Sequence, residues 1–300
     1  MVTIDKIEQK IDKRRNEIRA RILIDETESR LFFQWRGAVC SNPADVFLMS
    51  VLGLAMTGGH DLGVEGKVSA DIAPMLDHLR DRLVQLNQDI GRIVVEAGSM
   101  EISNIGEEKT GNLTGSIFWG DINSYFTLAE TLPETQALVY VPDTDGLTND
   151  HHHHINQLQQ IKHTASELDK ELIHIDTNLE DFYQGESPDI FHFFSGLSAG
   201  WLLSGLLSRL YIPGSMNGDD FSAGEAKSIF EDWPESDSID LKHHGTRMVR
   251  NEKIEIILSN PHVLDTIRVC WENPGRAYNC GRCGSCRRIK SPLEVINALN

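Results

Sequence analysis

The chain has 300 residues, of which 40% are hydrophobic and 24% charged, and its formal net charge is −17. This composition is typical of a soluble globular protein with apolar side chains for one large domain or two smaller ones. Because so acidic a surface repels phosphate backbones, we expect no broad nucleic-acid-binding face. The charged amino terminus and the lack of a long apolar run predict neither a signal peptide nor a membrane contact, and they indicate a cytoplasmic protein.

The first hundred residues predict an α+β unit. Two β-like runs, RARILI and RLFFQW, flank the polar segment DETES and predict a hairpin. The segment PADVFLMSVLGLAM has helical spacing and stops at a glycine pair, and DIAPMLDHLRDRLVQLNQDIG has the apolar stripe of an amphipathic helix. After the short strand RIVVEA, residues 98–111 form a polar linker. We therefore predict an N-terminal α+β domain over residues 1–110.

From residue 111 onward, β-like and helical segments alternate. Ser124 is a candidate N-cap for the first of these helices, SYFTLAETL, and a long helix is predicted over residues 153–170. Such alternation is typical of a parallel sheet covered on both faces, whose ligands bind at the carboxyl ends of the strands. We predict this α/β domain over residues 111–265, with strands at SIFWG, ALVYVP, ELIHID, YIPG and IDLKHH.

Four consecutive histidines, His151–His154, precede the long helix. Adjacent side chains cannot all face one ion in a helix or a strand, so a dedicated metal site is disfavoured. We interpret this tract as a solvated loop with adventitious affinity for metals.

Four cysteines near the end of the chain have the spacing C-x9-C-x2-C-x2-C, namely Cys270, Cys280, Cys283 and Cys286. Zinc prefers four soft ligands in a tetrahedron, and a CxxC turn brings two sulfurs to one ion. A redox dithiol would need only two cysteines, and iron–sulfur clusters usually show other spacings. We therefore predict a structural Zn²⁺ knuckle within residues 266–300.

With these motifs in place, residues 115–300 resemble the 7-cyano-7-deazaguanine synthase-like branch of the PP-loop ATP-pyrophosphatase superfamily. The resemblance is carried by the cysteine knuckle with its basic residue and short helix, by HGTRMVRNEKIEII, and by the blocks ELIHIDTNLEDF and IFHFFSGLSAGWLL. It implies a parallel-sheet PP-loop domain of the HUP type, which uses ATP and Mg²⁺ to adenylate a substrate.

The family's phosphate loop has the form S-G-G-x-D-S, and the matching segment here reads WGDINS from Trp119 to Ser124. The resemblance implies nucleotide-contacting positions at Gly120, Asp121, Asn123 and Ser124. Trp119 adds bulk and Asp121 adds a negative charge where pyrophosphate would lie, while Asn123 lacks the charge that would help to hold Mg²⁺. The loop therefore predicts a nucleotide site that departs from the family pattern.

Other polar side chains are candidates for the chemistry at this edge of the sheet. Asp145 follows a predicted strand and is a candidate ligand for Mg²⁺ or substrate, although Asp-Gly is also a common turn sequence. His244 ends the predicted strand IDLKHH and is a candidate general base, although a structural histidine is an equally good interpretation. Arg250 and Lys253 belong to a basic cluster that could supply phosphate contacts; each alone is more typical of a solvated face.

Two functions follow from this reading. The first is an adenine-nucleotide-binding enzyme that adenylates a carboxylate-bearing small molecule for amide- or nitrile-type chemistry. The second is a non-catalytic protein on the same fold that binds a nucleotide or a partner. We expect a small-molecule substrate or a nucleotide as the ligand. The sequence is also compatible with a homodimer or with another protein partner.

Overall fold

The fold contains two sheets that share one hydrophobic core. The computed structural model describes residues 1–86, 90–101, 111–142, 151–186, 188–214, 236–264, 266–267, 279–284 and 286–287. Within these ranges the chain is α/β, with a mixed six-stranded sheet and a parallel five-stranded sheet. The two predicted boundaries, at residues 110 and 265, lie outside the described ranges.

The six-stranded sheet is built mainly from the first hundred residues. Its order is β5-β4-β1-β2-β3-β9, in which β1, β2 and β3 are antiparallel and β4 and β5 join in parallel. The predicted hairpin is confirmed as β2 and β3, and β1 was not predicted. The strands are β1 (Val2–Lys10), β2 (Asn16–Ile24), β3 (Thr27–Trp35), β4 (Leu62–Ser69), β5 (Val95–Glu101) and β9 (Asp176–Thr177).

Two helices accompany this sheet, and both confirm predictions. Helix α1 (Pro43–Thr57) is capped by Asn42, whose side chain accepts a hydrogen bond from the Ala44 amide. A 3-10 turn (Ala70–Ile72) leads into α2 (Ala73–Leu86). Almost every residue of α1 is buried, because α1 packs between the first sheet and a helix of the second half.

The five-stranded sheet is entirely parallel and has the order β11-β10-β6-β7-β8. Within this sheet the chain enters at the central strand β6 and continues outward through β7 and β8. It then crosses to the other side of β6 to form β10 and β11. The direction therefore reverses between β6 and β10, which makes this position the topological switch point of the sheet. The strands are β6 (Leu113–Ile117), β7 (Ala137–Tyr140), β8 (Glu171–His174), β10 (Leu207–Pro213) and β11 (Asp240–His244).

The helices of the second half correct two predictions. Helix α3 begins at Ile122 and is capped by Asp121, so the prediction that Ser124 is the N-cap is wrong. His151–His154 form the first turn of α4, so their interpretation as a loop is also wrong. No helix in the described part has both the length and the apolar character to cross a membrane. The helices are α3 (Ile122–Thr131), α4 (His151–Glu167), α5 (Leu179–Phe182), α6 (Pro188–Leu203), α7 (Arg250–Ser259) and α8 (Pro261–Leu264).

The two sheets are joined by the packing of α1 against α6. A Cβ atom on Gly53 would lie 2.4 Å from the Phe194 ring, so only a glycine allows this close approach. At the same interface, Ser50 Oγ donates a hydrogen bond to Ser198 Oγ over 2.9 Å. Strand β9 comes from the second half and pairs with the edge strand β3 of the first sheet. One continuous cluster of buried side chains consequently includes residues of both sheets.

A buried carboxylate fixes the start of α1 to the end of β4. Asp45 is 1% exposed, and its two oxygens accept hydrogen bonds from the Ser69 amide, over 2.9 Å, and from the Ser69 hydroxyl. Burial is the main cause that raises the pKa of Asp45 to about 6, and the nearby charge of Asp71 adds to the effect.

This pKa predicts that the Asp45 carboxylate makes stability depend on pH. The folded protein holds the proton more tightly than the unfolded chain, whose aspartate pKa is about 3.9, so Asp45 lowers the free energy of unfolding as pH rises from ~4 to ~6. We expect Asp45→Asn to lack this decrease, which amounts to roughly 3 kcal/mol at most. Urea denaturation of both proteins across this pH range measures the difference. Parallel pH curves for the two proteins would contradict the prediction.

Candidate functional site

The segment WGDINS lies at the switch point of the parallel sheet. It follows the carboxyl end of β6 and leads directly into α3. Gly120 has a φ of +81°, a conformation that favours glycine, and a Cβ atom there would meet nothing within 4 Å. Glycine is therefore required here by the backbone turn rather than by crowding. This turn brings the amino end of α3 to the sheet edge where ligands of such folds bind.

The amino end of α3 is occupied by the protein's own carboxylate. Asp121 Oδ1 accepts hydrogen bonds from the Ser124 amide over 2.8 Å and from the Ser124 hydroxyl over 2.5 Å, and Asp121 Oδ2 accepts one from Asn123 Nδ2 over 3.1 Å. The Trp119 amide in turn donates to Ser124 Oγ over 3.0 Å. A carboxylate is favoured here because the first amides of a helix lack internal partners and carry partial positive charge. The hydrogen-bonding groups at the start of α3 are thus satisfied by side chains of the loop itself.

Lys253 connects the two sides of the switch point. Its side chain extends from α7 and is 1% exposed. The Nζ atom donates to Asn123 Oδ1 over 2.8 Å and to the Gly214 carbonyl over 2.6 Å, and it lies 5.6 Å from the centre of the Phe126 ring. Asn123 belongs to the loop after β6 and Gly214 follows β10. One buried ammonium group therefore holds both loops that border the switch point.

Two histidines end β11 beside this lysine. The His244 ring stacks on Phe126 at 5.3 Å, and its Nδ1 lies 3.3 Å from Thr127 Oγ1. Burial, followed by the positive charge of Lys253, lowers the pKa of His244, and the same causes lower the pKa of His243 to about 3. Both rings are therefore neutral near pH 7. A neutral imidazole carries a nitrogen lone pair that can accept a proton, although the nearby cation makes it a weaker base.

Trp119 lies in the core behind the loop. The side chain is 2% exposed and stacks on the His192 ring of α6 at 4.2 Å and 25°. Its carbonyl accepts a hydrogen bond from Gln157 Nε2 over 3.2 Å, and Gln157 Oε1 accepts one from the Tyr140 hydroxyl over 2.8 Å. Among the described residues, the buried Trp119 Nε1 has no hydrogen-bond partner.

The structure brings together most of the residues that the sequence singled out. Gly120, Asp121, Asn123 and Ser124 form the loop, and Lys253 and His244 lie beside it. Arg250 is exposed at the start of α7, one turn before Lys253, and Asp145 lies outside the described residues.

Sequence reasoning missed two parts of the site, the Phe126 ring and the Gly214 carbonyl. The Phe126 ring contacts both His244 and Lys253, and nothing in its sequence context distinguishes it from an ordinary core residue. The glycine at position 245 is an indirect indication of this close contact. Its φ is +80°, and a Cβ atom there would lie 2.6 Å from the Phe126 ring.

The cysteine cluster forms a second candidate site. The Sγ atoms of Cys280, Cys283 and Cys286 all lie within 4.8 Å of one another, and those of Cys280 and Cys286 are 3.9 Å apart. The amides of Cys283 and Cys286 donate to the sulfurs of Cys280 and Cys283, each over 3.3 Å. Cys270 lies outside the described residues. Three converging sulfurs could hold a metal ion.

This cluster shares a hydrophobic core with α3, the helix that follows the WGDINS turn. Cys283 and Cys286 belong to the same hydrophobic cluster as Ile122 and Tyr125 of α3. The Tyr125 hydroxyl also donates to the Thr266 carbonyl over 2.8 Å, which ties α3 to the chain that leads toward the cysteines. Helix α3 thus links the two candidate sites.

Comparison of the sequence with models of known protein families and with curated proteins finds no match. The resemblance to the 7-cyano-7-deazaguanine synthase-like branch therefore remains an expectation that depends on the motifs themselves.

The charge of Lys253 predicts a linked change at His244. We expect Lys253→Met to raise the pKa of His244, because a neighbouring positive charge is removed while burial persists. The variant also leaves the Gly214 carbonyl and Asn123 Oδ1 without their donor, at a cost of about 1–3 kcal/mol of stability. NMR titration of the histidine resonances, assigned with His244→Asn, measures the shift.

Lys242→Met is the matched control for this experiment. Lys242 lies in the same strand as His244, but its ammonium pairs with Asp240 over 2.9 Å. An unchanged pKa of His244 in Lys253→Met, or an equal shift in Lys242→Met, would contradict the assignment.

Proposed function

We propose that the chain is an adenine-nucleotide-binding enzyme resembling 7-cyano-7-deazaguanine synthase, which adenylates a carboxylate-bearing small molecule. The observation that carries this proposal is the buried Lys253, which joins the loops after β6 and β10 at the amino end of α3. A cation and a helix amino end that meet at a switch point are together suited to an anionic ligand.

The residues at the switch point have distinct roles in this proposal. Lys253 would bind the phosphates of ATP, with Arg250 adding a second positive charge at the start of α7. Asp145 is the predicted ligand for Mg²⁺, which prefers oxygen ligands, and Asp121 caps α3 beside the phosphates. His244, neutral near pH 7, would accept the proton of the attacking nitrogen nucleophile.

A second candidate function is favoured by a different observation. The Asp121 carboxylate already bonds the Ser124 amide and hydroxyl at the amino end of α3. A phosphate at this position would have to displace that carboxylate and would meet its negative charge. This self-capped loop supports a protein that binds a nucleotide or a partner without cleaving ATP.

We also propose that the cysteine cluster holds a structural Zn²⁺, with Cys270 as the fourth thiolate. Zinc–sulfur bonds of about 2.3 Å in a tetrahedron place the sulfurs ~3.8 Å apart. The Cys280–Cys286 separation of 3.9 Å supports such a site. Four thiolate ligands would leave no open position for a substrate, so the ion would stabilise the fold rather than take part in the reaction.

The nucleotide proposal predicts a defined response at Asp121. We expect ATP with Mg²⁺ to bind in calorimetric titrations and Lys253→Met to weaken this binding by at least roughly tenfold, or 1.4 kcal/mol. Asp121→Asn keeps a good helix cap but removes the negative charge, so it should strengthen ATP binding. Asp61→Asn, a change on the loop before β4, serves as the control and should leave the affinity unchanged.

Turnover separates the two functions. Release of pyrophosphate from ATP in the presence of a panel of small carboxylates would support the enzyme, whereas ATP binding without release would support the non-catalytic protein. Absence of any nucleotide binding at millimolar concentration would exclude the first function.

The zinc proposal predicts about one equivalent of Zn²⁺ in protein purified without added metal. Cys283→Ser should lose the ion and lower the melting temperature, because one thiolate ligand is removed. Cys40→Ala is the matched control, since Cys40 is buried in the core beside α1 and should leave the zinc content unchanged. Metal analysis by mass spectrometry measures both. Less than about half an equivalent of zinc, without iron, would contradict a dedicated site.

A further inference from the structure

A concave region is formed by residues of the first sheet, distant in sequence from the switch-point loop. It is a pocket of about 530 Å³ at the end of the β1–β2 hairpin, formed by residues 11–16 and by Arg36, Gly37 and Val39 after β3. Its volume falls within the range of small-molecule sites, roughly 300–1,000 Å³. None of the residues that line it belongs to the nucleotide loop or to the cysteine cluster.

The pocket concentrates positive charge in an acidic chain. Four cations line it, Lys13, Arg14, Arg15 and Arg36, against the single carboxylate of Asp12. Within the described part of the chain, Lys13, Arg14 and Arg36 form no ion pair, and all three are exposed. Because the whole protein carries a net charge of −17, this local excess is a distinct electrostatic feature.

The walls of the pocket are fixed to the sheet. Asn16 is 4% exposed and donates from Nδ2 to the Gly37 carbonyl over 3.0 Å, so the hairpin turn and the segment after β3 are joined. Trp35 Nε1 donates to the Ala38 carbonyl over 2.9 Å, and Arg15 forms an ion pair with Asp176 of β9. The Asp12 carboxylate accepts from the Arg14 amide over 3.0 Å. The cations thus project from a preformed frame.

Two exposed aliphatic side chains also line the pocket. Ile11 and Val39 are 61% and 42% exposed, although large aliphatic side chains are usually buried. They lie on the two segments that form the pocket, Ile11 on the hairpin turn and Val39 after β3. A ligand that covers them would remove apolar surface from water, in addition to its contacts with the cations.

We propose that this pocket binds a small organic molecule that carries at least two oxyanion charges, as phosphate or carboxylate, and an apolar part. The guanidinium groups of Arg14 and Arg36 present planar pairs of donors that match either oxyanion, and Lys13 adds a third positive charge. The apolar part lies against Ile11 and Val39. This inference is independent of the function proposed for the switch point.

The experiment uses inorganic pyrophosphate and citrate as probes of the phosphate and carboxylate arms. Calorimetry at low salt gives the affinity, and NMR of the arginine Nε–H groups, assigned with Arg14→Lys and Arg36→Lys, locates the probe. We expect at least one probe to bind below about 1 mM, with shifts at both arginines and weaker binding as salt increases. Phenyl phosphate should bind more tightly than inorganic phosphate, because its ring covers Ile11 and Val39.

Three variants distinguish this pocket from other anion sites. Arg14→Ala combined with Arg36→Ala should weaken probe binding by at least roughly tenfold without lowering the melting temperature, since both side chains are exposed. Arg19→Ala is the matched control, because Arg19 is exposed in β2 and pairs with Glu8. Lys253→Met tests the switch point and should leave binding to the pocket unchanged.

The outcomes are decisive in either direction. The proposal is supported if the double variant loses probe binding while Arg19→Ala and Lys253→Met keep it. This result does not depend on the outcome of the nucleotide titration. Absence of binding by both probes at about 5 mM, or equal affinity in the double variant, overturns the proposal. Tighter binding of a hexaglutamate peptide than of either probe also overturns it, because the ligand would then be an acidic polypeptide.

Discussion

The geometry of the switch point depends on one hydrogen-bonded carboxylate, that of Asp121. Amides in the first turn of a helix have no partners within the helix, so a side chain, a water molecule or a ligand must satisfy them. Asp121 does so through the Ser124 amide, and its second oxygen holds the Asn123 side chain. Asn123 thereby presents its carbonyl oxygen to Lys253, which in turn reaches Gly214. The Asp121 cap thus positions the loops after β6 and after β10, which border the switch point.

The sequence predicted the parallel sheet well, for a physical reason. Strands buried on both faces must be almost wholly apolar, as ALVYVP is, and such runs are easy to recognise. Strand β1 was not predicted because the buried residues Val2 and Ile4 are followed at once by the charged Asp5 and Lys6, so the alternation of buried and exposed residues is too short to recognise. Strand β9 has only two residues and exists because β3 offers it an edge. Tertiary pairing of that kind has no local signature.

The individual residues of the candidate site could be predicted from the sequence, but the contacts between them could not. The motif WGDINS and Lys253 each stood out, yet the contact between Asn123 and Lys253 spans 130 positions and follows only from the fold. The choice of Asp121 over Ser124 as N-cap follows from the turn at Gly120, since both residue types are good caps. The sequence does not distinguish the cations of residues 13–15 from those of an ordinary solvated turn. Only folding brings Arg36 to the same pocket.

The pairing of β9 with β3 also has a consequence for biosynthesis. While the ribosome extends the chain, β3 remains an unpaired edge until residues 176–177 have emerged. The face of α1 that contacts Ser198 remains uncovered until α6 has also emerged. An unpaired strand edge beside an uncovered apolar helix is a surface prone to association. The first hundred residues therefore stay vulnerable on the nascent chain, and we expect their protection to depend on how quickly α6 is translated.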